Sequence, residues 1–295
     1  MFTPTPLLPL ILLGLTPLTS GAPTTASSSD DCDLSPRAAT YWQPKPNSTL
    51  RWDYSLAQGP TTGFKASDGS SSSTVDVWGL DLFDTSKETI AALQKQGKKV
   101  VCYFSAGSYE EWRSDASSFP KSTLGNNLSG WAGERWLDVR ASSVRSIMTK
   151  RIALAASKGC NAVDPDNVDG YNNKPGFPLT QTDAVNYVTF LADQAHAKGL
   201  ASGLKNGAEI VSRVVGKVDY AVNEQCVEYG ECASWQPFIK AGKPVFHVEY
   251  PKGDDVNNNK AVSAATKKKV CQNAGAKGFN TIIKNMNLDG WIQFC

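Results

Sequence analysis

The sequence predicts an α/β fold: a (β/α)8 TIM-like barrel, in a single domain with a long loop insertion after strand 3. Three observations carry this. Short apolar runs recur eight times, helical periodicity fills most of the gaps, and Gly97, Gly159, Gly199, Gly242 and Gly278 each stand shortly before a strand candidate. Helix stop, strand, polar loop, helix is the rhythm of βα units, and eight of them close a barrel.

Strands are expected at 50–56, 75–81, 99–105, 161–166, 200–205, 218–223, 244–249 and 279–284. Helices are expected at 86–96, 142–157, 180–197, 208–214, 235–241 and 261–274. The rhythm breaks twice. Residues 57–74 are too rich in Gly and Ser for a normal first helix, and residues 106–140 form a Trp-rich insertion between the third strand and its helix. Loops of that length in a compact domain are usually functional, and this one would overhang the C-terminal ends of the strands. A doubly wound open sheet is the alternative, but no glycine-rich phosphate motif supports nucleotide binding.

Ahead of the barrel, residues 1–21 read as a signal peptide: an apolar run from Leu7 to Leu15, then small residues, without a basic start. The run is too short to span a bilayer. Residues 22–40 are a Ser/Thr-rich linker expected to be disordered, and 41–295 are the barrel. Secretion makes Asn47 and Asn127, each in an Asn-x-Ser/Thr sequon, glycosylation sites. A net charge of +2 supplies no field for nucleic acid or an anionic membrane, and a monomer is expected. The run Lys267-Lys268-Lys269 reads as a solvated helix face.

Seven cysteines in a secreted chain imply disulfides and one leftover thiol. Cys226 and Cys232 close a small loop and are paired; Cys271 and Cys295 bracket the last unit and are paired. Cys102 and Cys160 lie in or beside apolar strands, where buried free thiols are expected. Cys32 is left unplaced. With two histidines and no C-x-x-C, no metal is expected, and no cofactor.

The chemistry concentrates in Asn161-Ala162-Val163-Asp164-Pro165-Asp166-Asn167-Val168-Asp169-Gly170-Tyr171, where a strand breaks into acids at its C-terminal end. Asp164-x-Asp166 opens like a calcium loop, but Val168, Asp169 and Pro175 stand where that loop needs a ligand, Gly and Glu. A second strand end, Val218-Asp219-Tyr220-Ala221-Val222-Asn223-Glu224, delivers another carboxylate. Two carboxylates at the ends of two strands are the minimal equipment for glycosidic hydrolysis, and Asp164 or Asp166 at the first end with Glu224 at the second are the candidates. Asp53, Asp81, Tyr103, Asp164, Lys205, Asn206, Asn223, Glu249 and Tyr250 recur at strand ends and are candidate substrate-binding residues. Gathered carboxylates in a near-neutral chain would favour a cationic ligand, and Trp112, Trp131 and Tyr171 could stack on sugars. Trp78, in mid-strand, is read as core.

The run Cys102-Tyr103-Phe104-Ser105-Ala106-Gly107-Ser108-Tyr109-Glu110, the Asp164-Pro165-Asp166-Asn167 motif and Asn223-Glu224-Gln225-Cys226…Cys232 together resemble glycoside hydrolase family 114, the endo-α-1,4-polygalactosaminidases. The resemblance runs from about Thr40 to Cys295. It implies a TIM-like barrel, Asp166 and Glu224 as the catalytic pair, and the Cys226–Cys232 loop disulfide. It also implies a cationic, galactosamine-containing exopolysaccharide of the galactosaminogalactan type as substrate. The family commonly has Glu where this chain has Asp164. Analogy to α-galactosidase barrels makes Asp166 the nucleophile and Glu224 the acid/base of a retaining enzyme. The alternatives are a non-catalytic carbohydrate-binding barrel and a hydrolase of another α-galactosidic polymer. A phosphodiesterase barrel ranks lower, since only His247 lies near a strand end.

Overall fold

Short, mostly apolar runs can bury both faces of a strand, which suits a parallel sheet covered by helices. The computed structural model describes residues 41–295 apart from 48, 61–65, 68 and 71. The expected signal peptide, the linker and Cys32 lie outside the described residues.

The chain runs β1 (Trp52–Ser55), β2 (Val77–Asp81), α1 (Lys87–Lys95), β3 (Lys99–Ser105), β4 (Ser108–Glu110), β5 (Leu124–Asn127), β6 (Glu134–Leu137), α2 (Ser142–Lys158) and β7 (Ala162–Asp166). It continues through α3 (Gln181–His196), β8 (Ala201–Lys205), α4 (Val211–Val214), β9 (Tyr220–Glu224), α5 (Cys226–Tyr229) and α6 (Gln236–Lys240). The last elements are β10 (Val245–Glu249), α7 (Ala264–Cys271), β11 (Asn280–Lys284) and β12 (Ile292–Phe294). Eight strands pair in parallel in the order β1-β2-β3-β7-β8-β9-β10-β11, the order of a (β/α)8 barrel. All eight fall within the predicted runs, give or take two residues.

Helices α1 and α3 start where a side chain takes up free backbone N–H groups. Ser86 accepts from Thr89 N at the head of α1, and Thr180 with Asp183 forms a reciprocal capping box at α3. Gly159 closes α2 in a left-handed conformation, φ 86°, that a side chain would resist.

Three features were not anticipated. A ninth strand, β12, pairs antiparallel with β11, and the 106–140 insertion carries a three-stranded antiparallel sheet in the order β4-β6-β5. The short helix α5 follows β9 directly. The seam between β1 and β11 is made by side chains. Trp52 Nε1 donates to Asn280 O at 2.7 Å, Asn280 Nδ2 donates to Leu50 O at 2.9 Å, and buried Lys284 meets Asp53 at 2.6 Å.

Two buried arginines hold the insertion over the barrel. Arg113 forms a two-pronged contact with Asp81 at 3.0 and 2.6 Å and also reaches Glu110 at 2.8 Å. Arg151, on α2, grips Asp115 with two nitrogens at 2.8 Å and donates to Ser105 O at 2.7 Å. Removing one partner from such a pair strands a charge in the interior, a cost of ~3–5 kcal/mol.

Disulfides join Cys226 to Cys232 and Cys271 to Cys295. The free-thiol expectation for Cys102 and Cys160 is corrected: they form a third disulfide. Each lies against an apolar strand, and the parallel pairing of β3 with β7 brings them together across 58 residues of sequence. On the chain-entropy model, closing a loop of that length restricts the unfolded state by about 4 kcal/mol. Replacing both residues by serine should lower unfolding free energy by ~2–4 kcal/mol in a urea titration. An unchanged midpoint would show that the bond adds nothing to stability.

Candidate active site

Three successive strands, β7, β8 and β9, end in Asp166, Lys205 and Glu224. Each is followed by a non-glycine residue in the left-handed region: Asn167 at φ 59°, Asn206 at 50° and Gln225 at 62°. Such residues cost ~1–3 kcal/mol apiece and gather where geometry has to be held for function. Asparagine adopts this conformation most readily, and both asparagines also bond within the site. Asn167 N donates to Asp166 Oδ1 at 2.8 Å, and Asn206 Nδ2 donates to Glu224 Oε2 at 3.0 Å.

Lys205 Nζ lies 3.2 Å from Asp166 Oδ2 and 3.2 Å from Glu224 Oε2. Those two oxygens are therefore no more than 6.4 Å apart, the limit set by two 3.2 Å contacts to one atom. Tyr103 donates to Asp166 Oδ2 at 3.0 Å and Tyr250 to Glu224 Oε1 at 2.5 Å. Burial alone would raise the Glu224 carboxyl, but Lys205, Tyr250 and Asn206 hold it below the ordinary value. Burial disfavours the Lys205 cation too; Asp166, Glu224 and Asp164 outweigh it and push the ammonium up.

Asp164 sits one layer deeper. It is fully buried, Tyr54 donates to its Oδ2 at 2.7 Å, and its Oδ1 has no partner. Burial, opposed by Lys205 and reinforced by Asp166, raises its pKa to about 7.

Above the pair opens a cleft of about 1040 Å³, whose lining includes Tyr103, Asp166, Lys205, Asn206 and Glu224. The insertion supplies the opposite wall, with Trp112 and Trp131 each more than half exposed. Glu134 and Asp169 also line it and form no ion pair within the described residues. Burial raises Glu134 to about 7, and burial with Asp166 nearby raises Asp169 to about 6.

Other predicted site residues are placed elsewhere. Asp53 is 1% exposed and neutralised by Lys284. Glu249 is 1% exposed, held by His247 Nε2 at 2.8 Å and Val227 N at 2.6 Å. Asn223 is buried, its Oδ1 without a partner. Asp81 reaches the cleft wall with its charge matched by Arg113. The negative field at the mouth therefore comes from fewer carboxylates than strand ends alone suggest. Trp78 is core, at 2% exposure. Among the described residues, one group has metal-ligand spacing, Cys226, Cys232 and His247, and its two sulfurs are bonded to each other. Sequence reasoning missed Tyr54, although it follows the flagged Asp53, and Glu134, hidden in the insertion.

The family model for glycoside hydrolases of family GH114 matches residues 33–295. The chain belongs to glycoside hydrolase family GH114. It is thus a glycosidase, an enzyme that hydrolyses glycosidic bonds. The crystal structure of Aspergillus fumigatus Ega3, solved in complex with galactosamine, shares 45% identity over 86% of this chain and 97% of that one, with a TM-score of 0.79. The glycoside hydrolase domain of PelA from Pseudomonas aeruginosa is 15% identical over 81% of this chain and 96% of that one, at TM-score 0.59, a likeness of fold. No curated protein matches the sequence.

Gly107 is where the GH114 strand ends meet the insertion. Its N and that of Ala106 donate to Asp166 O at 3.0 and 2.9 Å, and a Cβ at Gly107 would lie 1.6 Å from Asn167 O. Gly107→Ala must therefore push the Asp166–Asn167 turn away. Loss of ~100-fold in turnover is expected, since an ångström of misplacement costs that much; wild-type turnover would show that the turn need not be held.

Proposed function

We propose that this GH114 chain is a secreted, endo-acting, retaining hydrolase of α-1,4-linked galactosamine in an exopolysaccharide of the galactosaminogalactan type. The observation that carries the reaction is the pair Asp166 and Glu224 on one lysine, with facing oxygens within 6.4 Å. Inverting enzymes hold their carboxyl groups ~6.5–9.5 Å apart to admit water, retaining enzymes ~5–5.5 Å. The bound on the nearest oxygens accommodates the closer, retaining separation, and retention is the course proposed. Asp166 attacks the anomeric carbon while Glu224 protonates the departing oxygen; Glu224 then takes a proton from the water that releases the sugar from Asp166.

Amino-sugar preference is supported by Glu134 and Asp169, cleft carboxylates without a cation of their own, and by the galactosamine bound to the Ega3 relative. An open cleft larger than one sugar ring, walled by Trp112 and Trp131, suits internal cleavage of a polymer. Secretion is supported by three disulfides, which persist in oxidising compartments. No helix among the described residues is long and apolar enough to cross a membrane. Asn47 and Asn127 are exposed and open to glycosylation.

Asp166→Asn and Glu224→Gln should each fold normally and lose at least ~100-fold in turnover, because one removes the nucleophile and the other the proton donor. Near-normal hydrolysis by either variant, at an unchanged melting temperature, removes that residue from the mechanism.

Affinity should follow the charges in the cleft. Glu134 and Asp169 gain their negative charge as pH rises through about 7 and about 6, while a sugar ammonium, comparable to an α-amino group, keeps most of its charge up to about pH 7. Binding of the amino polymer to Glu224→Gln should tighten from about pH 5 to 7 and weaken with salt. N-acetylation should weaken it ~10–100-fold, the equivalent of one charge-assisted hydrogen bond. Equal affinity for both polymers, insensitive to salt, would assign the specificity elsewhere.

A further inference from the structure

The carboxylate pair changes its charge distribution during a retaining cycle, and the position of Lys205 matches that change. The reactive form of a retaining pair has Asp166 ionised and Glu224 protonated; with the Glu224 carboxyl held below its ordinary value, that form is a minority at neutral pH and grows as pH falls. As the bond from Asp166 to the anomeric carbon forms, the glycosidic C–O bond breaks and the Glu224 proton moves to the departing oxygen. Asp166 is then a neutral ester and Glu224 an anion. One negative charge has passed from one side of Lys205 to the other, and Lys205 Nζ is 3.2 Å from both positions. A cation equidistant from both needs no movement to compensate either state, which is what preorganised electrostatics requires.

The ammonium is held from below. Lys205 Nζ donates to Tyr54 Oη at 3.2 Å, and Tyr54 in turn donates to Asp164 Oδ2 at 2.7 Å. The Lys205 nitrogen also lies 5.2 Å from the Tyr54 ring centroid and 5.5 Å from that of Tyr103. Side-chain exposure of Lys205 is 2%, so water contributes little to holding it. Tyr54 is itself accommodated by Gly79, where a Cβ would fall 2.4 Å from its ring. Asp164 has one oxygen committed to Tyr54 and the other without a partner, so its bonding is directed wholly at this column.

We propose that Lys205 is the fixed counter-ion shared by Asp166 and Glu224 through both half-reactions, and that Tyr54 and Asp164 are positioning residues that hold it there. The charged and titratable groups facing this column are Asp164, Asp166 and Asp169 from β7 and its loop, and Glu224 from β9. Tyr54, Tyr103, Tyr220 and Tyr250 also face it, and Glu110, Glu134, Asp219 and Glu249 act on these tyrosines from further out. The proposal rests on the retaining reading above and assigns Lys205 to the carboxylates in place of the sugar.

The test is the pH dependence of kcat/KM for wild type, Lys205→Met and Tyr54→Phe. Lys205 stabilises the Glu224 anion, so its removal raises the limb of the bell-shaped profile that Glu224 sets to higher pH. Lys205→Met should show that upward shift with at least a ~100-fold lower maximum, on the scale of other electrostatic stabilisers. Tyr54→Phe, which removes one oxygen atom, should shift the profile the same way by less, lowering kcat with KM unchanged. A merely structural role would lower the amount of folded enzyme and leave the profile in place. Wild-type profiles in both variants overturn the proposal. A second readout is independent of the substrate: NMR titration of the Glu224 carboxyl in wild type and Lys205→Met. Should wild type cleave no amino polymer, the substrate reading fails; an upward shift of Glu224 still supports the counter-ion, and an unshifted Glu224 overturns it. If Lys205→Met does not fold, the Tyr54→Phe profile decides alone.

Discussion

A carboxylate inside a barrel stays ionised only when a cation is buried beside it, and that constraint organises this molecule. Lys205 serves Asp166 and Glu224, Lys284 serves Asp53, and Arg113 serves Asp81 and Glu110. Each cation comes from a different element and reaches across to another, so neutralising a charge and joining two parts of the fold are one act. The β1–β11 seam and the docking of the insertion both use such pairs. The pattern relaxes beneath the pair, at Asp164, whose carboxyl is pushed up to about 7, and at the cleft wall, at Glu134 and Asp169, where a ligand can complete it.

The backbone obeys a related economy. Left-handed Asn167, Asn206 and Gln225 turn the chain sharply as each strand ends, so the preceding side chain projects at the rim while its carbonyl and amide stay bonded. The asparagines offset part of their own strain by bonding to site carboxylates, Asn167 to the preceding Asp166 and Asn206 across to Glu224 on the next strand. Precision in the site is therefore built into single residues and their immediate successors, with the tyrosines Tyr54, Tyr103 and Tyr250 arriving from other strands as fixed donors.

Much of this was legible in the sequence. The eight barrel strands stand out as short, mostly apolar runs, as burial on both faces favours, several of them closing on polar residues at the cleft end. Strands β4, β5, β6 and β12 do not, being three or four residues long and mixing charged or polar residues with apolar ones. Asp166 and Glu224 are readable as strand-end carboxylates. Asp53 and Glu249 look the same locally, and their partners Lys284 and His247 decide the difference. The first of these lies 231 residues away, beyond any local pattern. Cys102 and Cys160 likewise read as isolated apolar residues until strand order makes them neighbours.

The Cys102–Cys160 disulfide spans the entire insertion and all of α2. The cleft wall, with Trp112, Trp131 and Glu134, is thus part of a covalent ring. A protease that cuts one exposed bond of that wall produces two new chain ends and no detached piece. Both halves remain tethered to the barrel, close enough for the arginine contacts to re-form. For an enzyme exposed to digestion, such a ring turns a severing cut into a local nick.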